Sequence, residues 1–292
     1  GLPLSVKFSE KKYFVNIIDK NTQNLKLIQN GKSPFKENGI KKKLIQQLRS
    51  GRLTFSKELS SIKESKNIIL CIGTPIKKNF KPDLKNFYDL IKNLGFYIRK
   101  NQNLIIRSSV PVGTNKKIIY MLKKNCPNVA YCPERIVEGK SFEELPLIPQ
   151  IIAGSNKIVI QDAIKIFKKI TKKIIVCNIL EAELSKVFSN LYRYINFAIP
   201  NEMYLMSQKF GVNFLKVRDI MMKDYPRNSG LPNAGFVGGP CLMKDTMQMS
   251  YLYGVKKSLA NSAYQVNENL PNEIIRQIKS IKLKNKNKVI GV

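Results

Sequence analysis

At 292 residues with 43% hydrophobic content, the chain can bury more than one core and is too apolar to be a disordered basic tail. Its 51 Lys and Arg against 20 Asp and Glu give a net charge of +31, and there is no histidine. That absence excludes Ser-His-Asp triads, Cys-His pairs and histidine metal sites, and leaves acid–base work to Glu, Asp, Lys, Cys or Tyr.

The lysines are spread along the whole chain with abundant Ile and Asn, and no arginine-rich stripe interleaves with aromatics. They read as solvated faces that attract anionic small ligands, not as a nucleic-acid surface. No apolar run approaches the roughly eighteen residues of a membrane helix, and the first residues lack the apolar stretch of a signal peptide. Five cysteines (71, 126, 132, 177 and 241) form no CxxC pair. The expectation is reduced thiols in a cytoplasm, with no metal site and no membrane contact.

In chain order, GLPLSVKFSE opens as a helix of the kind that follows a strand and a glycine turn. YFVNIID (13–19) reads as a strand ending in an acid, NIILCIGTP (67–75) as a buried strand broken by Gly73 and Pro75, and NLIIRSSVP (103–111) repeats that design. PQIIAGS (149–155) and KIIVCN (173–178) add two strands, and lysine-rich amphipathic stretches at 84–100 and 114–124 lie between. Such alternation predicts a Rossmann-type, doubly wound parallel sheet of the α/β class. In that reading Asp19 stands where the ribose-binding acid of a dinucleotide fold belongs, and Gly1 is the last glycine of GxGxxG, with the first strand preceding it. Cys71 and Cys177 fall within strands and read as core residues.

From Leu180 to Phe210 there is no glycine and one proline, Pro200, which predicts one long helix with a bend. A second helix is expected near 213–223, another through 243–270, and KVIGV (288–292) resembles the opening of a strand. Between the helices lies GFVGGPCLMKD (235–245), whose glycines suit either a phosphate cradle or a loop presenting Cys241. Lys186 and Asn190 are spaced i,i+4 and share a helix face.

Five segments carry a resemblance: TP at 74–75 with Asp83–Leu84, RSSVPVGT (107–114), CPERIVEG (132–139), EAELSKVFSNLYR (181–193) and GFVGGPCLMKD. In this order they resemble the UDP-glucose/GDP-mannose dehydrogenase family, nucleotide-sugar 6-dehydrogenases such as the UDP-N-acetylmannosamine enzymes. The resemblance implies an NAD-binding domain at 1–178, an all-helical central dimerisation domain at 179–272 that carries the cysteine loop, and the start of a UDP-binding domain at 273–292. Most of that last domain is expected to lie outside this chain, which would make the chain inactive alone. A homodimer through the central helices is implied as well.

The implied reaction is a four-electron oxidation of a UDP-hexose C6 alcohol to the uronic acid, using NAD, for surface polysaccharide precursors. A thiol solves its second half, because a free aldehyde has no hydroxyl proton to lose as hydride departs. The resemblance gives Cys241 that role, Lys186 and Asn190 the stabilisation of oxyanions, Asp245 the orientation of water or receipt of a proton, and Glu134 the activation of water. Glu138, Arg227 and Gly238 fall on the substrate side. Gly1, Asp19, Thr74 and Ser109 fall on the NAD side, where the Asp19 carboxylate favours NAD over NADP. Ser109 stands in place of the family's more usual threonine, and Asn24 where many members carry an arginine. Cys132 reads as structural. A two-electron β-hydroxyacid dehydrogenase also pairs an NAD domain with a Lys-xxx-Asn helix, but needs no nucleophilic thiol. A basic nucleic-acid-binding protein is the alternative of another class.

Overall fold

A computed structural model describes residues 1–237, 239–255 and 257–280. The chain opens with α1 (Leu2–Glu10), β1 (Val15–Ile18), α2 (Thr22–Gln29), α3 (Ile40–Arg49) and β2 (Leu53–Ser56). Then follow β3 (Asn67–Leu70), α4 (Lys85–Gly95), β4 (Asn103–Ile106), α5 (Thr114–Leu122), β5 (Val129–Tyr131) and the single turn α6 (Ser141–Glu144). β6 (Gln150–Gly154), α7 (Lys157–Phe167) and β7 (Ile174–Val176) complete the α/β part. Four helices come after it: α8 (Ile179–Lys209), α9 (Phe214–Met222), α10 (Pro240–Tyr253) and α11 (Leu259–Ser280). Two compact units result: Gly1–Lys77 with Pro82–Lys186, and Lys78–Lys81 with the described residues from Val187 onward.

The first unit is built on β3-β4-β5-β6-β7, with β1 and β2 forming a separate parallel pair in register Val15↔Leu53 to Ile18↔Ser56. β4 explains the layering. Its residues Leu104, Ile105 and Ile106 are all fully buried, as a strand covered on both faces requires. Leu104 and Ile106 join one core with Phe87, Ile91 and Leu94 of α4 and Ile118 and Leu122 of α5. Ile105 points the other way, into a core with Leu4 and Phe8 of α1 and Val159, Ala163 and Phe167 of α7. Period-two alternation therefore places helices on both faces of a Rossmann-like sheet.

The sheet differs from expectation in one pairing. β3, β4 and β5 are parallel, but β5 and β6 pair antiparallel through Ala130↔Gly154 and Tyr131↔Ala153. The segment joining them carries only the four-residue α6, and strands joined without a full crossover helix pair antiparallel. Two further expectations are corrected. The helix expected through 243–270 is two helices, because Gly254 adopts a left-handed φ of +73° and ends α10. Cys71 lies one residue beyond β3 and is exposed, since the core stops at Leu70; Cys177 is only half-buried.

In the second unit Pro200 lies inside α8, where its missing N–H leaves the Asn196 carbonyl without an intrahelical donor. Tyr194 and Ala198 of α8, Leu242 of α10 and Ala263 of α11 form its core. The strand expected at 288–292 lies outside the described residues.

Candidate functional site

In the first unit the carboxyl ends of the strands gather the residues assigned to a dinucleotide. Asp19 directly follows β1; it is exposed, and its Oδ1 accepts the Asn21 N–H at 2.9 Å where α2 begins. Gly1 is the N-cap of α1, with no side chain capping that helix. Thr74 is buried and its hydroxyl donates to the Ser109 carbonyl, while the Ser108 hydroxyl accepts the Ile72 N–H at 2.9 Å. These bonds join the loops after β3 and β4. A cleft of about 360 Å³ opens there, with Gly1, Phe35, Cys71, Ser109, Glu134 and Glu138 on its walls. Ligands of open α/β sheets bind at this edge. Asp19 and Thr74 do not line it.

Both carboxylate oxygens of Glu134 are held. Its Oε2 accepts from Arg107 Nε at 2.9 Å and from Arg107 Nη2, and its Oε1 accepts the N–H groups of Arg135 at 2.9 Å and Ile136 at 3.2 Å. Arg107 is 3% exposed, reaches the Cys132 carbonyl at 3.1 Å and Gln150 Oε1 at 2.8 Å, and lies 5.2 Å from the Phe167 ring. A planar guanidinium can satisfy this many acceptors at once where an ammonium cannot. Arg107 went unnoticed in the sequence, although a cation closing the apolar run NLIIR signals a buried anionic partner. Beside it, the Cys132 thiol is pushed up to about 12, first by burial, with the Arg107 charge acting in the opposite direction.

Glu183 is a second residue the motifs concealed. It is 1% exposed, and its carboxylate accepts the Gly113 N–H at 2.6 Å, the Asn115 N–H at 2.9 Å and Asn115 Nδ2 at 2.7 Å. A glutamate on the first turns of α8 thus satisfies orphan donors at the start of α5.

Lys186 and Asn190 stand one turn apart on α8 and both are buried; Lys186 is the last residue of the first unit and Asn190 belongs to the second. Asn190 Nδ2 donates to Asp245 Oδ2 at 2.6 Å, and Lys244 Nζ pairs with Asp245 Oδ1 at 2.5 Å. The fold therefore unites Asn190, Lys244 and Asp245, and gives a partner to a lysine that the sequence left unassigned. Gly239, with φ +78° and ψ 152°, turns the chain in a way that L side chains resist, and Pro240 occupies the first helical position of α10. Cys241 follows in the first turn, exposed, one turn before the fully buried Asp245. Arg227 is exposed, donates to Tyr225 Oη at 3.1 Å and lies 5.6 Å from that ring. Gly238 lies outside the described residues. Among the described residues no cluster of three or more Cys, Asp or Glu could hold a metal ion, and no helix is long and apolar enough to cross a membrane.

Residues 1–175 match the family model described as the NAD binding domain of the UDP-glucose/GDP-mannose dehydrogenase family, and residues 180–269 match its central domain. A protein named UDP-N-acetyl-D-mannosamine dehydrogenase from Pyrococcus horikoshii is 29% identical over 280 residues, covering 93% of this chain and 66% of that protein. The chain thus spans just under two thirds of that relative's length. A solved structure of UDP-D-ManNAc dehydrogenase from P. horikoshii aligns with a TM-score of 0.87 at 28% identity, over 96% of this chain and 68% of the other. A 3-hydroxyisobutyrate dehydrogenase from Mycobacterium tuberculosis shares the fold, with a TM-score of 0.67 at 12% identity over 96% of this chain and 95% of the other.

Proposed function

The chain belongs to the UDP-glucose/GDP-mannose dehydrogenase family, and on that premise we propose that its protein oxidises C6 of a UDP-N-acetylhexosamine such as UDP-N-acetylmannosamine to the uronic acid. The observation that carries this reading is the exposed thiol of Cys241 in the first turn of α10, one turn before an Asp245 that binds Asn190 and Lys244. The names of the relatives support the substrate class.

Asp19 and the uncapped start of α1 suit a dinucleotide, the carboxylate meeting ribose hydroxyls and the first-turn N–H groups meeting a diphosphate. Thr74 and Ser109 stand at the same sheet edge. Bound NAD+ supplies the hydride acceptor for both oxidations. Cys241 adds its sulfur to the C6 aldehyde carbon, and the carbonyl oxygen takes up a proton. Lys186 and Asn190 stabilise negative charge on that oxygen. Loss of hydride from C6, with the hydroxyl proton released to solvent, leaves a thioester on Cys241. Water then attacks the acyl carbon, the carbon–sulfur bond breaks, and the carboxylate departs with the thiol restored. Glu134 takes the proton of that water, and Arg107 fixes the direction of its carboxylate. Asp245 holds the Asn190 amide in place. Glu138, Arg227 and Gly238 serve the nucleotide-sugar.

The domain division at 178 and 272, with a UDP-binding part from 273, accompanies this reading, as do cytoplasmic action and supply of surface polysaccharide precursors. Dimerisation through α8 is supported by an exposed apolar row at Phe188, Tyr192, Ile199, Met206 and Phe210, which repeats at steps of four and seven. Assay of the full-length protein, UDP-binding part included, with NAD+ and UDP-N-acetylmannosamine, UDP-N-acetylglucosamine or UDP-glucose tests the function. The expected result is two NADH per uronate from an N-acetylated sugar, and none from Cys241→Ser. Uronate formed by Cys241→Ser at the original rate overturns the thioester route. One NADH per product instead favours the two-electron β-hydroxyacid reading, for which the likeness of fold to the M. tuberculosis enzyme speaks.

A further inference from the structure

We propose that a buried asparagine pair, Asn201 and Asn267, positions the loop that presents Cys241. Asn201 directly follows Pro200 in α8 and is fully buried, and Asn267 of α11 is nearly so. Asn201 Nδ2 donates to Asn267 Oδ1 at 2.9 Å, and Asn267 Nδ2 donates to the Tyr194 carbonyl at 3.1 Å. The remaining Asn201 oxygen accepts the backbone N–H of Gly235 at 2.8 Å. One continuous series of hydrogen bonds therefore runs from α11 through α8 into the first residue of GFVGGPC.

Gly235 itself is exposed, so its N–H would find water if Asn201 were absent. The bond is thus a choice of loop position and not a rescue of a stranded donor. Two buried amides are costly unless both are paired. An apolar pair at this level would fill the space equally well, but would leave Gly235 unattached. The loop has a second tether upstream: Arg218 of α9 donates from Nη2 to the Leu231 carbonyl at 2.8 Å and from Nε to the Pro232 carbonyl at 3.3 Å. Downstream, Gly239 and Pro240 fix the entry into α10. The chain is thus held at Gly235 on one side of the loop and at Gly239 and Pro240 on the other.

That this loop presents the reacting thiol rests on the function proposed above; the tether does not. In Asn201→Leu/Asn267→Leu both partners become apolar at similar volume, an exchange that leaves stability nearly unchanged. Hydrogen exchange on the full chain should then quicken at residues 235–237 by about fivefold, the equilibrium factor of one hydrogen bond, with α8 and α11 unaltered. Iodoacetamide labelling of Cys241 should change by a similar factor. Gly235→Pro, which deletes the same donor without touching the helices, should alter Cys241 labelling alike. Unchanged exchange at 235–237 in the double variant, or parallel loosening of α8, α11 and the loop, overturns the proposal. If the loop loosens as expected while Cys241→Ser still makes uronate, the tether stands and the catalytic reading falls.

Discussion

Cys132 and Cys241 both sit beside a proline, one in CPER of the first unit and one in GPCL of the second. Cys132 directly follows β5 and is fully buried; its N–H donates to the Ile106 carbonyl at 2.9 Å and its side chain packs with Leu4 and Ile152. Cys241 begins a helix after a left-handed glycine and meets solvent. The sheet unit fixes polar groups by burying and saturating them, as Arg107 and Glu183 illustrate. The helical unit leaves the Cys241 thiol exposed and buries the Asp245 carboxylate one turn further along. Exposure of the thiol here is decided by where in an element the residue falls, not by its neighbours in the chain.

Alkylation probes this contrast most strongly. At mildly alkaline pH, Cys241 should label at least ~1,000-fold faster than Cys132, whose thiol is almost never ionised. Timed quenching with peptide mass spectrometry reads both rates, and similar rates would erase the distinction. The next effect is on stability. Glu134→Gln leaves the buried Arg107 cation without its anion and should cost about 3 kcal/mol in urea unfolding. Cys241→Ala, at an exposed site, should cost less than about 0.5 kcal/mol.

Alkaline pH offers a further test. Burial raises the thiols of Cys126, Cys132 and Cys177 above the ordinary 9.0, and Tyr88 above 10.0, all in the first unit; in the second, burial and then the Glu268 carboxylate raise Tyr194. Each group holds its proton more tightly folded than unfolded. Their contribution is therefore complete below pH 9.0 and declines as pH rises through their folded values. The unfolding free energy from urea titration should fall above that pH, by up to about 1.4 kcal/mol per pH unit for each unmatched proton, and less steeply in Cys132→Ala. A more modest effect belongs to Gly254→Ala, which forces a Cβ into the left-handed end of α10 and should cost about 1 kcal/mol in a thermal melt.

The strands at 67–75, 103–111 and 149–155 were readable because continuous apolar runs are what a doubly covered sheet demands. β2 (LTFS) and β5 (VAY) were not, since each is short and owes its extended form to a neighbour. The helix expected through 243–270 overran Gly254 because a lone glycine in an apolar stretch does not announce its φ. Within the site, the turn spacing of Lys186 and Asn190 and of Cys241 and Asp245 is local and could be read. Pairs such as Arg107 with Glu134, Gly113 with Glu183 and Asn201 with Asn267 lie 27, 70 and 66 residues apart. Only the folded chain brings such partners together.

The carboxylate of Glu183 at the start of α5 also determines what that end of the helix cannot do. A helix beginning just after a sheet strand is a natural seat for phosphate, and a chain with a net charge of +31 concentrates anions around itself. Here the seat has a resident: a carboxylate tied in by the polypeptide, occupying the N–H groups of Gly113 and Asn115. A dissolved phosphate would have to evict a competitor that never diffuses away. The protein thereby removes a decoy from its own surface, and an incoming diphosphate is left to find its amides elsewhere along the sheet edge.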